Sequence, residues 1–163
     1  MNTSIIGIGR TAVGEHWDVN LRHLAWQAIE AAMDDARTTE IDALYVGNML
    51  AGSVSNQTHL GALVADFAGL RGVEAVTVEA AEASGATALR QAIMAVESGL
   101  IQTALVVGVE KMTDETGSAL VGATASAIDA DYEAIHGATP ATMAALMMQR
   151  YMHENGFVIR IYR

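Results

Sequence analysis

The stretch VTVEAAEASG, residues 76–85, joins an apolar run to a helical pattern and places Glu82 at the turn between them. A side chain at such a turn lies near the first backbone amides of the following helix, where the helix dipole favours negative charge. A cysteine in this position would have a lowered pKa and would act as a nucleophile. A carboxylate is also favoured there but is a poor acyl acceptor. The ordinary interpretation of Glu82 alone is therefore a first-turn glutamate.

A second turn, GIGRTA at residues 7–12, has the G-x-G-x-x-A form of a dinucleotide-binding fingerprint. That mechanism requires a helix to begin at once, so that its N-terminus meets the pyrophosphate. Here residues 13–19 come before any helical pattern, and no acidic residue ends the next predicted strand. A turn at the end of a strand is the favoured interpretation.

The other candidate groups give weaker signals. None of the histidines pairs with another at the spacing of metal ligands. Ser84 has no base near it in the sequence, so a helix-capping role is favoured over a nucleophilic one. The histidines are His16, His23, His59, His136 and His153. A row of methionines indicates either a flexible apolar stripe in the core or the lining of an acyl pocket: Met143, Met147, Met148 and Met152.

Strands and helices alternate up to Asp114, which predicts a parallel, right-handed α/β unit. The third predicted helix is apolar nearly all round, which is typical of a helix in a middle layer. Residues 117–130 are predicted to be loop-like, and residues 139–153 helical. The predicted strands are 4–8, 41–46, 75–78 and 103–109, and the predicted helices are 21–36, 60–70 and 84–98. Asn20 or Asp18 is expected to cap the first helix, and Gly99 is expected to end the third.

The composition excludes several classes of protein. The chain has 163 residues, is 52% hydrophobic and 17% charged, and has a mean hydropathy of +0.27, which indicates a folded domain. A net charge of -10 leaves no basic face for nucleic acid. The absence of cysteine excludes disulfides and thiolate metal sites. The longest uncharged stretch, 43–65, is too polar to span a membrane, and no signal peptide is evident, so a cytoplasmic location is expected.

Several segments, in this order, resemble the thiolase superfamily, in particular its archaeal and sterol-carrier-protein-type branch. Residues 78–85 resemble that family's nucleophile segment, usually V-E-A-A-C-A-S-G, and Glu82 stands where the cysteine is expected. The remaining segments are IIGIGRT at 5–11, YVGNMLAG at 45–52 with NQTHLG at 56–61, VVGVEKMT at 106–113, HGAT at 136–139 and YMHE at 151–154.

The resemblance implies an α/β fold, a thiolase-like N-terminal half with a mostly parallel mixed sheet and a buried helix layer. Residues 1–116 would form the α/β domain, 117–155 the start of a CoA-facing loop region, and 156–163 an atypical tail, with the C-terminal thiolase half absent. The implied reaction is acyl transfer that makes or breaks a 3-oxoacyl-CoA, with the CoA thioester as substrate and no separate cofactor. The implied site has Glu82 at the nucleophile position and His136, Gly137 and Met143 at the substrate.

Two departures from the family predict a truncated chain that is inactive alone. There is no thiolate to form an acyl-enzyme, and nothing matches the second catalytic half. The expected partners are acyl-CoA, further copies in a homodimer or larger assembly, and a partner protein of a thiolase complex, with neither nucleic acid nor membrane. The alternatives are a non-catalytic acyl-CoA-binding or interaction subunit and, third, a dinucleotide-binding module.

Overall fold

The computed structural model describes residues 3–115 and 117–157. The chain divides into two compact units, Met1–Glu115 and Thr116–Arg163. The first contains the sheet and the turn that carries Glu82, and the second contains helices and turns.

The first unit is built on a parallel sheet whose strands run in the order β2-β1-β3. The central strand β1 is buried along its whole length, as expected for a strand covered on both faces. This confirms the predicted α/β class. The elements are α1 (Leu21–Ala36), β1 (Ala43–Gly47), α2 (Ala51–Val54), α3 (Leu60–Phe67), β2 (Glu74–Val78), α4 (Ser84–Glu97) and β3 (Ala104–Gly108), followed by a 3-10 turn at Met112–Asp114.

Alternate side chains of the strands enter two cores. Leu44 and Val46 lie in the larger core with α1 and α3. Ala43 and Tyr45 point to the opposite face, where α4 covers them. The period-two alternation of a strand therefore divides β1 between the two helical layers.

Helix α1 has the predicted bounds. The side chain of Asn20 accepts a hydrogen bond from the backbone amide of His23 at 3.0 Å, which caps the first turn. The apolar stripe that includes Leu24 and Ile29 is buried against the sheet. The helix ends at Arg37, which adopts a left-handed conformation.

Helix α4 buries its small residues and exposes its large ones. Ser84, Ala88 and Ala92 are buried on the sheet side. Ile93 and Met94 remain 37% and 50% exposed. Helix α4 therefore has an apolar outer face, which agrees with the sequence pattern of a middle-layer helix.

The prediction of a strand at residues 4–8 is wrong. This segment forms no strand ladder, because no described strand lies beside it to supply hydrogen bonds. It is held by a hydrogen bond from the Ile8 amide to Asp35 Oδ2, 2.9 Å long, and by close approach to α1. A Cβ added at Gly7 or Gly9 would lie within 2.5 Å of a carbonyl oxygen of that helix. These glycines serve packing, and the next helix begins only at Leu21.

The second unit contains α5 (Gly117–Thr124), 3-10 turns at Ala125–Ala127 and Ala134–His136, and α6 (Pro140–Asn155). The prediction of a loop at 117–130 is therefore wrong in its first half. The predicted helix at 139–153 is confirmed, and Thr139 caps it through a capping box with Thr142. Met147 and Met148 are exposed in α6, so they are not core residues within the described structure. Residues 158–163 of the predicted tail lie outside the described residues.

Candidate active site

Three polar side chains follow the three strands at the carboxyl edge of the sheet. Asn48 comes directly after β1, Glu79 directly after β2, and Glu110 two residues after β3. Parallel strands bring their carboxyl ends to one edge, which is the usual location of sites in open α/β sheets.

The turn at residues 79–84 has an unusual backbone. Ala81 has a φ of +49°, in the left-handed region that non-glycine residues seldom adopt. Its amide donates to Glu79 Oε1 at 2.6 Å. Ser84 Oγ accepts from the Ala80 amide at 2.9 Å and donates to the Ala81 carbonyl at 2.6 Å. These bonds hold a strained turn in one conformation.

Glu82 is exposed on this turn, two residues before α4 begins. The predicted placement beside a helix N-terminus is therefore correct, although Glu82 precedes the first turn. The prediction that Ser84 caps the helix is wrong, because Ala83 is the N-cap residue and the buried Ser84 hydroxyl bonds the turn instead.

Close backbone contact fixes the start of α4 against the sheet. A Cβ added at Gly47, the last residue of β1, would lie 2.7 Å from the Cα of Gly85. Real Cβ atoms do not approach so closely, so the first turn of α4 lies where only glycine fits at the end of β1. The turn that carries Glu82 is thereby held over the carboxyl edge.

Glu110 organises the loop that follows β1. Its Oε1 accepts from Asn48 Nδ2 at 3.0 Å, and its Oε2 accepts from the amides of Met49 and Leu50 at 3.1 and 2.9 Å. Asn48 also donates to the Val109 carbonyl at 2.8 Å. Sequence reasoning missed this pair, although both residues follow strands that are neighbours in the sheet.

An ion pair with a buried lysine and a partly exposed aspartate lies just beyond Glu110. The side chain of Lys111 is buried, and its ammonium group pairs with Asp114 in the following 3-10 turn. A buried ammonium needs such a partner, since an unpaired charge is costly away from water. The pair fixes the segment after β3 and leaves Lys111 little freedom to contact a ligand.

The three predicted substrate residues lie in the second unit, whereas Glu82 lies in the first. His136 and Gly137 are exposed at the end of a 3-10 turn, where Gly137 has a φ of +81°. Met143 is half-buried in the first turn of α6, and its amide donates to the Thr139 carbonyl. Within residues 3–115 and 117–157, no group of three or more His, Asp or Glu side chains could hold a metal ion. In the same described part, no helix is long and apolar enough to cross a membrane.

Residues 3–154 match the family model of the thiolase N-terminal domain. The chain belongs to the thiolase family. The matched residues include the turn at residues 79–84 and most of both units.

Curated relatives agree with this assignment. An acetyl-CoA acetyltransferase of Methanocaldococcus jannaschii is 44% identical over 97% of this chain, and one of Methanothermobacter thermautotrophicus is 43% identical over 95%. Benzoylsuccinyl-CoA thiolase subunit BbsB of Thauera aromatica is 35% identical over 93%. The chain spans only 40%, 40% and 38% of the length of these relatives.

Solved structures show the same fold. A 3-oxoacyl-[acyl-carrier-protein] synthase III from Aquifex aeolicus superposes with a TM-score of 0.54 at 24% identity, over 61% of this chain and 32% of the synthase. An acetyl-CoA acetyltransferase from Syntrophomonas wolfei gives 0.54 at 23% identity, over 59% of this chain and 26% of that enzyme.

Proposed function

We propose that this chain is the N-terminal part of a thiolase-type acyl-CoA acyltransferase that condenses or cleaves 3-oxoacyl-CoA. The observation that carries the proposal is the turn at residues 79–84, which presents the side chain of Glu82 to solvent beside the N-terminus of α4 at the carboxyl edge. Two relatives named acetyl-CoA acetyltransferases support acetyl-CoA as the acyl donor.

The chain alone is proposed to be inactive. In the reaction implied by the family, a thiolate attacks the thioester carbonyl, a new C–S bond forms, and the CoA thiolate leaves. Glu82 supplies a carboxylate, which is a weak nucleophile toward a thioester. Incubation with acetyl-CoA should therefore give no acyl adduct on Glu82 by mass spectrometry and no release of CoA. A stoichiometric adduct that turns over would overturn this proposal.

Replacing Glu82 with cysteine tests whether the turn is built for a nucleophile. Because the chain has no cysteine, Glu82→Cys carries one thiol. The N-terminus of α4 should lower its pKa below the ordinary value of about 8.5. The matched control is Ser98→Cys at the opposite end of the same helix, where the dipole should raise the pKa.

The measurement is the rate of alkylation by iodoacetamide against pH for the two variants. The midpoint of the Glu82→Cys profile should lie below that of Ser98→Cys. Equal midpoints at or above about 8.5 would mean that the turn does not activate a thiol, and the proposed site would be wrong. Condensation activity should remain absent from Glu82→Cys, because the groups expected from the rest of a thiolase are not supplied.

A non-catalytic role is the second candidate. It is favoured by the carboxylate at position 82 and by one relative being named a thiolase subunit. In that role the chain would bind acyl-CoA, or join a partner protein, without forming an acyl-enzyme. Calorimetric titration with acetyl-CoA separates the candidates: binding with no adduct favours the subunit, and the absence of binding favours an incomplete enzyme.

The remaining site residues and partners are part of this proposal. His136, Gly137 and Met143 are proposed to contact the acyl-CoA, and His136→Ala should weaken any measured binding more than the exposed His153→Ala in α6. Self-association into a homodimer or larger assembly is proposed from the open edge of β2 and the exposed face of α4. A cytoplasmic location stays a prediction that cell fractionation would test.

A further inference from the structure

The turn at residues 79–84 carries a second carboxylate, that of Glu79, and this carboxylate is bonded to the turn itself. Glu79 is the first residue after β2, and Glu82 follows it on the same turn. Both are exposed, and neither takes part in an ion pair with another described residue. The Oε1 atom of Glu79 accepts from the Ala81 amide at 2.6 Å. A short hydrogen bond to an ionised acceptor is roughly twice as strong as a neutral one.

The Ala81 amide depends on this carboxylate for an acceptor. The next two bonded amides along the turn, those of Ala83 and Ser84, donate to backbone carbonyls of the same turn. The Ala81 amide donates to no backbone carbonyl among the described residues. Ala81 is half-buried, and a backbone amide that is shielded from water is costly without a partner. Glu79 therefore supplies the acceptor that the backbone of the turn does not.

The bond acts on the residue whose backbone is strained. The φ and ψ angles of Ala81 are set by the two peptide planes that flank it. Glu79 holds the plane on the N-terminal side through the amide, and Ser84 Oγ holds the plane on the C-terminal side by donating to the Ala81 carbonyl. The φ of +49° is therefore maintained by one side chain on each side of the residue.

The direction of the side chain at position 82 follows from the conformation of Ala81. The backbone nitrogen of Glu82 belongs to the same peptide group as the Ala81 carbonyl, so a rotation at Ala81 would move the whole of the next residue. Glu82 has little support of its own, because it is exposed and its amide makes no hydrogen bond to a described residue. What holds Ala81 therefore also aims position 82.

The other charged groups that follow β3 at the carboxyl edge are bonded elsewhere. Glu110 accepts from the loop after β1, and the Lys111 ammonium group pairs with Asp114. In the part of the chain that the structure describes, none of them bonds Glu79. The hydrogen bond from Ala81 is the contact that the Glu79 carboxylate makes there, so this acid is committed to its own turn.

We propose that Glu79 is a positioning residue for the reactive position 82. Its carboxylate fixes the backbone of Ala81, and Ala81 aims the side chain that follows. The inference deepens the proposed function and rests on it, because it takes position 82 as the place from which a nucleophile would attack the thioester.

NMR of the isotope-labelled chain tests the bond and the positioning with Glu82 in place. The Ala81 amide should exchange with solvent several times faster in Glu79→Ala than in Glu79→Gln, which keeps an acceptor oxygen. The order parameter of the Glu82 amide should stay near about 0.85 in Glu79→Gln, as in rigid backbone, and fall toward about 0.6 in Glu79→Ala. Glu74→Ala removes an exposed carboxylate at the start of β2 and is the control, which should change neither measurement.

The effect on reactivity is tested in the Glu82→Cys background. Glu79→Gln and Glu79→Ala remove the same negative charge, so the comparison between them isolates the hydrogen bond. The midpoint of iodoacetamide alkylation should lie higher in the alanine variant by about 0.2–0.7 in pH, because a thiolate that is not held beside α4 loses the interaction with the helix terminus. Circular dichroism checks that both variants fold.

Two results would overturn the proposal. Equal exchange at Ala81 and equal order at Glu82 in the alanine and glutamine variants would show that the bond does not hold the turn. Equal alkylation midpoints of the two variants, when the midpoint of Glu82→Cys itself lies below that of Ser98→Cys, would show that the turn does not aim the side chain. Failure of the proposed function gives a different pattern: Glu82→Cys would match Ser98→Cys, while Glu79→Ala would still loosen the backbone at position 82.

Discussion

The carboxylate of Glu110 joins the segment after β3 to the side chain of Asn48 after β1 by a hydrogen bond of 3.0 Å. The same carboxylate accepts from two consecutive backbone amides, those of Met49 and Leu50. One acidic group therefore satisfies three donors of a loop that begins at the carboxyl edge. It does so although the two residues are 62 positions apart in the sequence.

Glu110→Gln should lower the free energy of unfolding by about 1.5–3 kcal/mol, the range for hydrogen bonds to a charged group. A glutamine keeps one acceptor oxygen and turns an NH₂ group toward donors, so at least one donor loses its partner. Urea unfolding followed by circular dichroism measures the change. Glu30→Gln, at an exposed position within α1, is the control and should change little. Equal stability of Glu110→Gln and the wild type would show that the network contributes nothing.

The helices and strands were largely predictable because their signals are local. Helix α1 has a side-chain cap at Asn20 and an apolar period, and its bounds were predicted correctly. The failure of residues 4–8 to form a strand was not predictable in the same way. A strand also needs a neighbouring strand to pair with, and a local sequence pattern does not show whether one lies alongside. The loop prediction at 117–130 failed for another reason: glycine, alanine and serine carry little periodic signal, yet α5 forms there.

The candidate site was predictable in part. The position of Glu82 beside α4 followed from a strand pattern, a turn and a helix pattern in sequence. The contact between Asn48 and Glu110 depends on which strands are neighbours, and a single sequence does not state the strand order. The left-handed backbone conformation of Ala81 was also not predictable, since alanine is not a residue expected at positive φ.

Ser84→Ala should release the turn at residues 79–84. The buried hydroxyl bonds Ala80 and Ala81, and its removal leaves a backbone amide without an acceptor, at a cost of about 1–3 kcal/mol. The same change in a Glu82→Cys background should bring the thiol pKa back toward its ordinary value, because the turn no longer holds the side chain near α4. Alkylation rate against pH measures this.

Ser98→Ala in the same background is the control for removing a serine hydroxyl from α4. Ser98 is exposed and donates to the Ala95 carbonyl at the far end of the helix. Its removal should leave the thiol pKa where Glu82→Cys has it. An unchanged pH profile in Glu82→Cys with Ser84→Ala would show that Ser84 does not position the side chain at 82.

Asp42 should make stability depend on pH. The backbone amides of Thr103 and Gln102 donate to its carboxylate and lower its pKa below the ordinary value. A lowered folded-state pKa contributes stability above the unfolded value of about 3.9, and that stability is lost as the pH falls through the folded pKa. Asp42→Asn should therefore be less stable than the wild type at neutral pH, and the two should converge in acid.

Urea midpoints measured between neutral pH and strong acid test this prediction. Asp18→Asn is the control, because Asp18 is exposed in the loop before α1 and its side chain makes no hydrogen bond within the described residues. Its difference from the wild type should stay small at every pH. A gap between Asp42→Asn and the wild type that stays constant into acid would show that the loss comes from packing and not from the charge.

Self-association should occur through the open edge of β2. The Glu74 amide and the Val78 carbonyl bond the β1 side, so the backbone groups of Ala75 and Thr77 face outward. A strand edge that no described strand pairs with can pair with the same edge of a second copy. The exposed apolar residues of α4 form a second surface that favours association. Light scattering at micromolar concentration should show a dimer or larger assembly despite the net charge of -10.

Ala75→Pro separates the two surfaces. Proline at this edge position removes an outward amide and no bond to β1, so the fold should survive and pairing through β2 should fail. The expected result is a monomer with an unchanged circular dichroism spectrum. Met94→Lys on the outer face of α4 is the comparison, and it should remain associated if the strand edge carries the contact. A wild-type chain that is a monodisperse monomer and binds no hydrophobic dye would contradict the prediction, because both surfaces would then have to be covered within the chain.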